Sequence, residues 1–146
     1  MRFFVERVLS APPERVWAVL ADWERQAEWM PDVAWIRVLG PERGLGARLA
    51  VRTKVLGVPV ATDLVEVTAW EPVRRLGVRH TGVVTGEGEW TLEPTAEGGG
   101  TRFAWWEEIR MPPPVLGDAG LWLYGPVQRA MLRRSVRNLA ALVQTV

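Results

Sequence analysis

Hydrophobic and polar residues alternate with a period of two through most of the first 110 residues. This alternation predicts strands with one buried face, over residues 2–9, 33–39, 46–56, 60–70, 73–81, 84–93 and 101–110. Short gaps rich in glycine, proline and other turn residues separate the strands from residue 33 onward. Because such gaps are too short for crossover connections, successive strands are expected to pair as an antiparallel meander.

Two shorter segments near the N-terminus have helical spacing instead. Residues 10–22 begin with Pro12 and Pro13, which a first helical turn tolerates, and continue with apolar residues at helical intervals. Residues 23–32 predict a second short helix, which Pro31 ends because the residue before a proline is biased away from helical geometry. Both helices fall between the first predicted strand and the second.

The C-terminal segment predicts one long amphipathic helix. Its apolar arc on a helical wheel, with arginines lying away from it, consists of Leu132, Val136, Leu139 and Val143. We expect this helix to run to about Val143, with Pro126 at its start or at a kink, after a loop over residues 111–120. The apolar arc is expected to cover the apolar face of the sheet.

The charged residues support this strand order. On the face opposite the apolar one, the sign of the charge changes from each strand to the next: Arg48, Arg52 and Lys54, then Glu66, then Arg75 and Arg79, then Glu87, Glu89 and Glu93. Strands that are neighbours in a sheet with this face in water would place opposite charges side by side. The pattern therefore favours the meander.

Composition excludes several function classes. The chain has 146 residues, of which 48% are hydrophobic, and a formal net charge of +1, so we expect no nucleic-acid partner and no stable membrane insertion. It has no cysteine and one histidine, which excludes disulfides and metal sites built from cysteine or several histidines. We expect no cofactor and no metal. With no signal peptide or membrane span recognisable, the expected location is cytoplasmic.

Four sequence segments, taken in order, carry a family resemblance. They are SAPPERVWAVLAD from Ser10, WMP from Trp29, EPVRRL from Glu71 and GGTR from Gly99, followed by the terminal helix. Their order and spacing resemble the polyketide cyclase/dehydrase and lipid-transport family of the START-like helix-grip superfamily. The resemblance covers essentially the whole chain, which we therefore interpret as one domain over residues 1–146.

The resemblance implies an α+β helix-grip fold. In that fold a seven-stranded antiparallel sheet wraps around the long C-terminal helix, and two short helices lie between strands 1 and 2. It also implies a cavity between sheet and helix. It does not imply one chemistry, because the superfamily includes lipid carriers, hormone receptors and cofactor-free cyclases.

Polar residues on the predicted inner face mark a candidate site. In TRFAWWEEIR, from Thr101, strand alternation puts Glu107 on the apolar face together with Trp105. A carboxylate in a dry core is costly, so Glu107 is expected to face water, a ligand or a basic group such as His80. Three alternatives remain: an open rim, a bulge at Trp105-Trp106 that reverses the phase, or a paired structural carboxylate.

The inner faces of sheet and helix together predict the ligand-binding set: Asp63, Val78, His80, Gly86, Gly88, Trp90, Phe103, Trp105, Glu107, Tyr124, Gln128, Leu132 and Ser135. The two inward glycines leave room for a ligand, permit sharp bending of the sheet, or do both. A Ser135–His80–Asp63 triad can be drawn, although no nucleophile-elbow sequence supports it.

Two functions fit this pattern. The first is a non-catalytic carrier or binding protein for a small hydrophobic molecule such as a lipid, an isoprenoid or a polyketide-like aromatic. The second is a cofactor-free cyclase, aromatase or dehydratase with His80 and Glu107 as acid and base. An adaptor that binds protein through Trp106 is a weaker third. The pattern predicts no oligomeric state.

Overall fold

The computed structural model describes residues 1–110 and 117–144, and these form a sheet, a long helix and two short helical segments. The strands are β1 (Arg2–Leu9), β2 (Val33–Leu39), β3 (Arg48–Val55), β4 (Val58–Glu71), β5 (Arg75–Thr81), β6 (Thr85–Pro94) and β7 (Thr101–Arg110). The helices are α1 (Pro13–Leu20), a 3-10 helix (Trp23–Glu28) and α2 (Gly117–Gln144). Within these residues no helix is both long and apolar enough to cross a bilayer.

All the strand pairs are antiparallel, and the strands lie in the order β1-β7-β6-β5-β4-β3-β2. The meander predicted from the alternation is thus confirmed for β2 through β7. β1 pairs with β7 and forms the edge of the sheet opposite β2, so the first and last strands of the chain are neighbours. The predicted helix-grip arrangement is confirmed, with both short helical segments between β1 and β2.

Cross-strand charge pairs lie on the outer face of the sheet as predicted. Arg48 is opposite Glu66, Glu66 is opposite Arg79, and Arg79 is opposite Glu87. Lys54 departs from the pattern, because the register of β3 and β4 shifts between Thr53 and Lys54. A bulge of this kind reverses the face to which the next side chain points, and Lys54 lines the interior rather than the outer face.

The register of β7 is continuous with both of its neighbours through Trp105 and Trp106. The bulge that would have reversed its phase is therefore excluded. Glu107 lies on the buried face, 8% exposed, between Trp105 and Ile109 along the strand. Trp106 points to the other face, opposite Phe4 of β1.

The long helix differs from the prediction at its beginning. α2 begins at Gly117, so residues 117–120 are helical rather than part of a loop, and residues 111–116 lie outside the described part of the chain. Pro126 is inside the helix rather than at its start. Because Pro126 and Trp122 are both exposed, water can hydrate the Trp122 carbonyl that a proline leaves without its intrahelical partner.

Different constraints act at the two inward glycines of β6. Gly86 has a φ of 132°, and a Cβ there would lie 1.9 Å from the backbone oxygen of Glu108. At Gly88 a Cβ would be 3.6 Å from the Trp106 oxygen, which is ordinary contact. Gly86 is thus required by the close approach of β7, whereas Gly88 has room for a side chain.

We expect Gly86→Ala to lower the free energy of unfolding by at least about 2 kcal/mol, because it adds strain and a backbone clash. Gly88→Ala, the matched control two residues along the same strand, should change it by less than about 1 kcal/mol. Urea denaturation of both variants measures the difference. Equal stability of the two would contradict the distinction.

Candidate functional site

A cavity of about 600 Å³ lies between the sheet and the N-terminal half of α2. Most of its wall is apolar, from Phe3, Met30, Val33, Ile36, Leu49, Val51, Val65, Leu76, Val78, Trp90, Trp105 and Ile109. Val60 and Val83 line the cavity and are also 56% exposed, so the cavity opens beside them. The volume is in the usual range for small-molecule sites.

Aromatic rings form the inner end of the wall. The rings of Trp90 and Trp105 meet edge to face at 88°, with centroids 5.7 Å apart. Trp29 packs behind them, 5.4 Å from Trp90, and is 1% exposed. Such edge-to-face contacts hold the rings in fixed orientations, so the wall keeps its shape for a flat apolar ligand.

A polar cluster interrupts the apolar wall. His80 Nε2 lies 3.2 Å from Glu107 Oε1, and the Gln128 amide donates to Glu107 Oε2 at 3.5 Å. His80 Nδ1 faces Asp63 Oδ2 at 4.0 Å. The register explains this proximity, because His80 is opposite Gly86 on β6, and Gly88 of that strand is opposite Glu107. With only a hydrogen atom on Gly88, His80 and Glu107 can meet across β6.

The electrostatics of the cluster favour a protonated histidine. Burial alone would lower the pKa of His80, but the hydrogen bond and negative charge of Glu107, with the charges of Asp63 and Asp32, outweigh it and raise that pKa. Burial raises the pKa of Asp63, which attraction from His80 and from backbone N–H groups offsets in part. The raised pKa favours the protonated form of His80, which lies between the carboxyl groups of Glu107 and Asp63.

Asp32 is a further acidic residue of the cavity that the sequence analysis missed. It is half-buried in the segment before β2, where its backbone oxygen accepts from the Lys54 N–H at 2.8 Å. Burial and then repulsion from Glu107 raise the pKa of Asp32 to about 6. Burial, together with the charges of Asp32 and Glu107, also raises the pKa of Tyr124, whose hydroxyl therefore stays protonated.

Comparison with known proteins agrees with this arrangement. The family model described as polyketide cyclase / dehydrase and lipid transport matches residues 2–144. The chain belongs to this family. No curated protein matches the chain in sequence.

Solved structures similar to this member of the family extend across the helix-grip superfamily. A protein of Thermus thermophilus, TTHA0849, has a TM-score of 0.82 at 24% identity, over 99% of this chain and 97% of its own. The Zhui aromatase/cyclase of Streptomyces sp. R1128 has a TM-score of 0.83 at 17% identity, over 99% and 93%. A START superfamily protein of Mycobacterium smegmatis has 0.76 at 14%, over 98% and 97%. At these identities the similarity establishes the fold.

Most of the residues predicted to bind ligand line the cavity of this family member. They are Asp63, Val78, His80, Gly88, Trp90, Trp105, Glu107, Tyr124 and Gln128. Their position is a structural finding, whereas their role in binding stays a prediction.

Four predicted binding residues lie outside the cavity wall. Gly86 serves the close approach of β7, and Phe103 and Leu132 are buried in the hydrophobic core. Ser135 is buried, with its hydroxyl donating to the Met131 oxygen at 2.8 Å. That bond directs the hydroxyl along its own helix, so the structure gives no support to a Ser135–His80–Asp63 triad.

Irregular backbone explains why Asp32 and Lys54, two of the charged residues of the cavity, were missed. Asp32 precedes β2, whose pairing with β3 shifts between Val33 and Trp35, and Lys54 follows the bulge in β3. The alternation rule assumes an uninterrupted strand, so it cannot tell which face of the sheet a side chain points to once a bulge intervenes. The adjacent Pro31 was the only available signal of irregular backbone near Asp32.

Asp32→Asn should increase stability at neutral pH. A carboxyl whose pKa rises from 3.8 in the unfolded chain to about 6 in the fold contributes stability below pH 4 that is lost as the pH rises through 6. The free energy of unfolding of the variant, relative to that of the native chain, should therefore be roughly 1–2 kcal/mol higher at pH 7 than at pH 4. Urea denaturation of both proteins at these two pH values measures the gain. A difference independent of pH would contradict the raised pKa.

Proposed function

We propose that the protein binds a small hydrophobic molecule in the cavity between sheet and α2, as a non-catalytic carrier or binding protein. The observation that carries the proposal is the cavity itself, about 600 Å³ with a mainly apolar wall. Space of this size left in an apolar interior costs stability unless an occupant regains the lost contacts. A ligand of the lipid, isoprenoid or polyketide-like aromatic class would do so.

Each part of the wall suits a part of such a ligand. Trp90 and Trp105 offer fixed aromatic surfaces to a ring system, and Val78 adds aliphatic contact beside them. The absence of a side chain at Gly88 extends the space toward Glu107. The polar residues Asp63, His80, Glu107, Tyr124 and Gln128 would orient the polar group of the ligand.

The family supports the same class of ligand. Its description combines polyketide cyclases and dehydrases with lipid transport, and both activities involve largely apolar molecules. One structural neighbour is named an aromatase/cyclase and another a START superfamily protein. This agreement supports the ligand class, and the choice between transport and chemistry depends on the site.

Gly88→Leu should weaken the binding of an environment-sensitive apolar dye by about tenfold or more, because the added side chain occupies the space between Val78 and Glu107. The free energy of unfolding should change by about 1 kcal/mol or less, since the side chain enters open space. Dye titration and urea denaturation give the two quantities.

Glu87→Leu is the matched control for this substitution. It adds the same side chain at the preceding position of β6, where Glu87 points to the outer face and its side chain is 57% exposed. Dye affinity should stay unchanged in this variant. Unchanged affinity in a folded Gly88→Leu variant would show that the dye binds elsewhere.

The contact between His80 and Glu107 favours a second candidate function, that of a cofactor-free cyclase, aromatase or dehydratase. A carboxylate 3.2 Å from an imidazole that is itself inside a ligand-sized cavity is a pair able to move protons on a bound substrate. Protonated His80 would donate to a carbonyl or leaving hydroxyl group, and Glu107 would accept a proton.

Glu107→Leu separates the two functions. In a carrier the variant should bind apolar molecules as tightly as the native chain or more tightly, because it removes a carboxylate from the wall. In an enzyme it should abolish turnover and leave binding intact. The measurement is mass spectrometry of the ligand that co-purifies with the native protein, followed by incubation of that ligand with both proteins. Conversion by the native chain alone would overturn the carrier function.

A further inference from the structure

Hydrogen-bond acceptors dominate the polar part of the cavity. Three carboxylates line it without an arginine partner: Asp32, Asp63 and Glu107. A fourth, Glu89, also borders the cavity but is paired with Arg75 at 2.8 Å. An ionised carboxylate only accepts hydrogen bonds, so each of the first three needs donors from elsewhere.

The donors near these carboxylates are already engaged with groups of the protein. Both ring nitrogens of His80 face carboxylates, at 3.2 Å from Glu107 and 4.0 Å from Asp63. The amide of Gln128 donates to Glu107, and the hydroxyl of Thr53 donates to the Ala61 oxygen at 3.3 Å. Of these groups, only the amide of Gln128 has a second N–H that could satisfy a further acceptor.

Acceptor capacity remains unused at the same place. Asp63, which is 8% exposed, has one oxygen, Oδ1, buried against Gly82 without a hydrogen-bond partner among residues 1–110 and 117–144, while its Oδ2 faces His80. Over the same residues no side chain donates to the Asp32 carboxylate, which Lys54 attracts only at longer range. Burial raises the pKa of both Asp32 and Asp63, and the backbone N–H groups near each carboxylate offset this only in part.

A ligand with a carboxylate or phosphate group would bind unfavourably at this polar part of the cavity. Its oxygens would compete with Glu107 and Asp63 for His80, and the like charges would repel each other in a partly dry cavity. Lys54 and the Tyr124 hydroxyl are further donors on the wall. One ammonium group, already offset by Asp32, does not reverse the excess of negative charge. A ligand group that carries an N–H or O–H would instead donate hydrogen bonds to the carboxylate oxygens that lack a donor.

We propose that the polar end of the cavity binds a hydroxyl or protonated-amine group at one end of an otherwise apolar ligand and disfavours carboxylate and phosphate groups. This inference rests on the proposed binding function. It narrows the ligand from hydrophobic molecules in general to apolar alcohols, phenols and amines. Fatty acids and anionic phospholipid headgroups are thereby placed outside the preferred class.

Four naphthalene derivatives of similar size test the inference at pH 7.5: methylnaphthalene, naphthalenemethanol, naphthylmethylamine and naphthoate. Their dissociation constants can be measured by tryptophan fluorescence and checked by calorimetry. The alcohol and the amine should each bind at least about tenfold more tightly than naphthoate, since a hydrogen bond to a charged acceptor replaces a repulsive contact. The comparison of alcohol with amine shows which donor the cavity prefers.

Two isosteric variants locate the effect. Glu107→Gln and Asp32→Asn keep the size of the side chain but remove a negative charge, so each should reduce the ratio of amine to naphthoate affinity by about fivefold or more. Glu87→Gln, which removes a charge from the outer face, should leave the ratio unchanged. Circular dichroism confirms that each variant is folded, and the ranking of ligands by the native chain tests the proposal without any variant.

The outcomes separate this inference from the binding function. If naphthoate binds as tightly as the amine and the alcohol, the inference is overturned, while binding of methylnaphthalene preserves the cavity as an apolar site. If none of the four binds, both the binding function and the inference fail. An affinity ratio that neither Glu107→Gln nor Asp32→Asn changes would also overturn it, because the donor group would then lie elsewhere.

Discussion

One helix has to cover the apolar face of a seven-stranded sheet. The difference in width between the helix and the sheet determines the rest of the structure. Six interstrand spacings amount to about 29 Å, whereas a helix with its side chains is about 10 Å wide. Curvature brings the sheet around the helix, and the short segments between β1 and β2 cover a further part. The interior that remains uncovered is the cavity.

The length of α2 is divided between two tasks. From Leu132 to Val143 its inner side fills the hydrophobic core, together with α1 and the 3-10 helix. Before Leu132 the buried residues among the described side chains of α2 are Gly125 and Gln128, and Tyr124 and Gln128 border the cavity. The same helix therefore stabilises the fold at one end and forms part of the cavity wall at the other.

The polar cluster is compatible with this interior because its members compensate one another. A lone buried Glu107 would cost several kcal/mol, but His80 and Gln128 both contact it. Gly88 leaves open space beside this contact, since it has no side chain and lies on the strand between those that carry His80 and Glu107. The small residue on β6 and the paired charges on its neighbours are one structural unit.

Regular backbone explains how much could be predicted from sequence. Alternation placed Glu107 and His80 inside because β5 and β7 keep a continuous register through them. It missed Asp32 and misassigned Lys54 because both lie beside irregular strand pairing. It treated Gly86 and Gly88 alike because the pattern of side chains carries no information about backbone angles. Residues 117–120 were predicted as loop, and a helix start at Pro126 was left open, because the solvent exposure that lets a helix tolerate this proline is a tertiary property.

The division along α2 also has a dynamic consequence. Local opening requires less free energy where fewer apolar side chains are buried. Among the described side chains of α2, those before Leu132 are mostly exposed or half-buried, so this part of the helix is expected to separate from the sheet without global unfolding. Amide hydrogens in the turn around Tyr124 would then exchange faster than those around Leu139, which is fully buried. In the proposed binding function, a ligand would need only this partial opening to enter and leave, while the C-terminal half of the helix remains anchored.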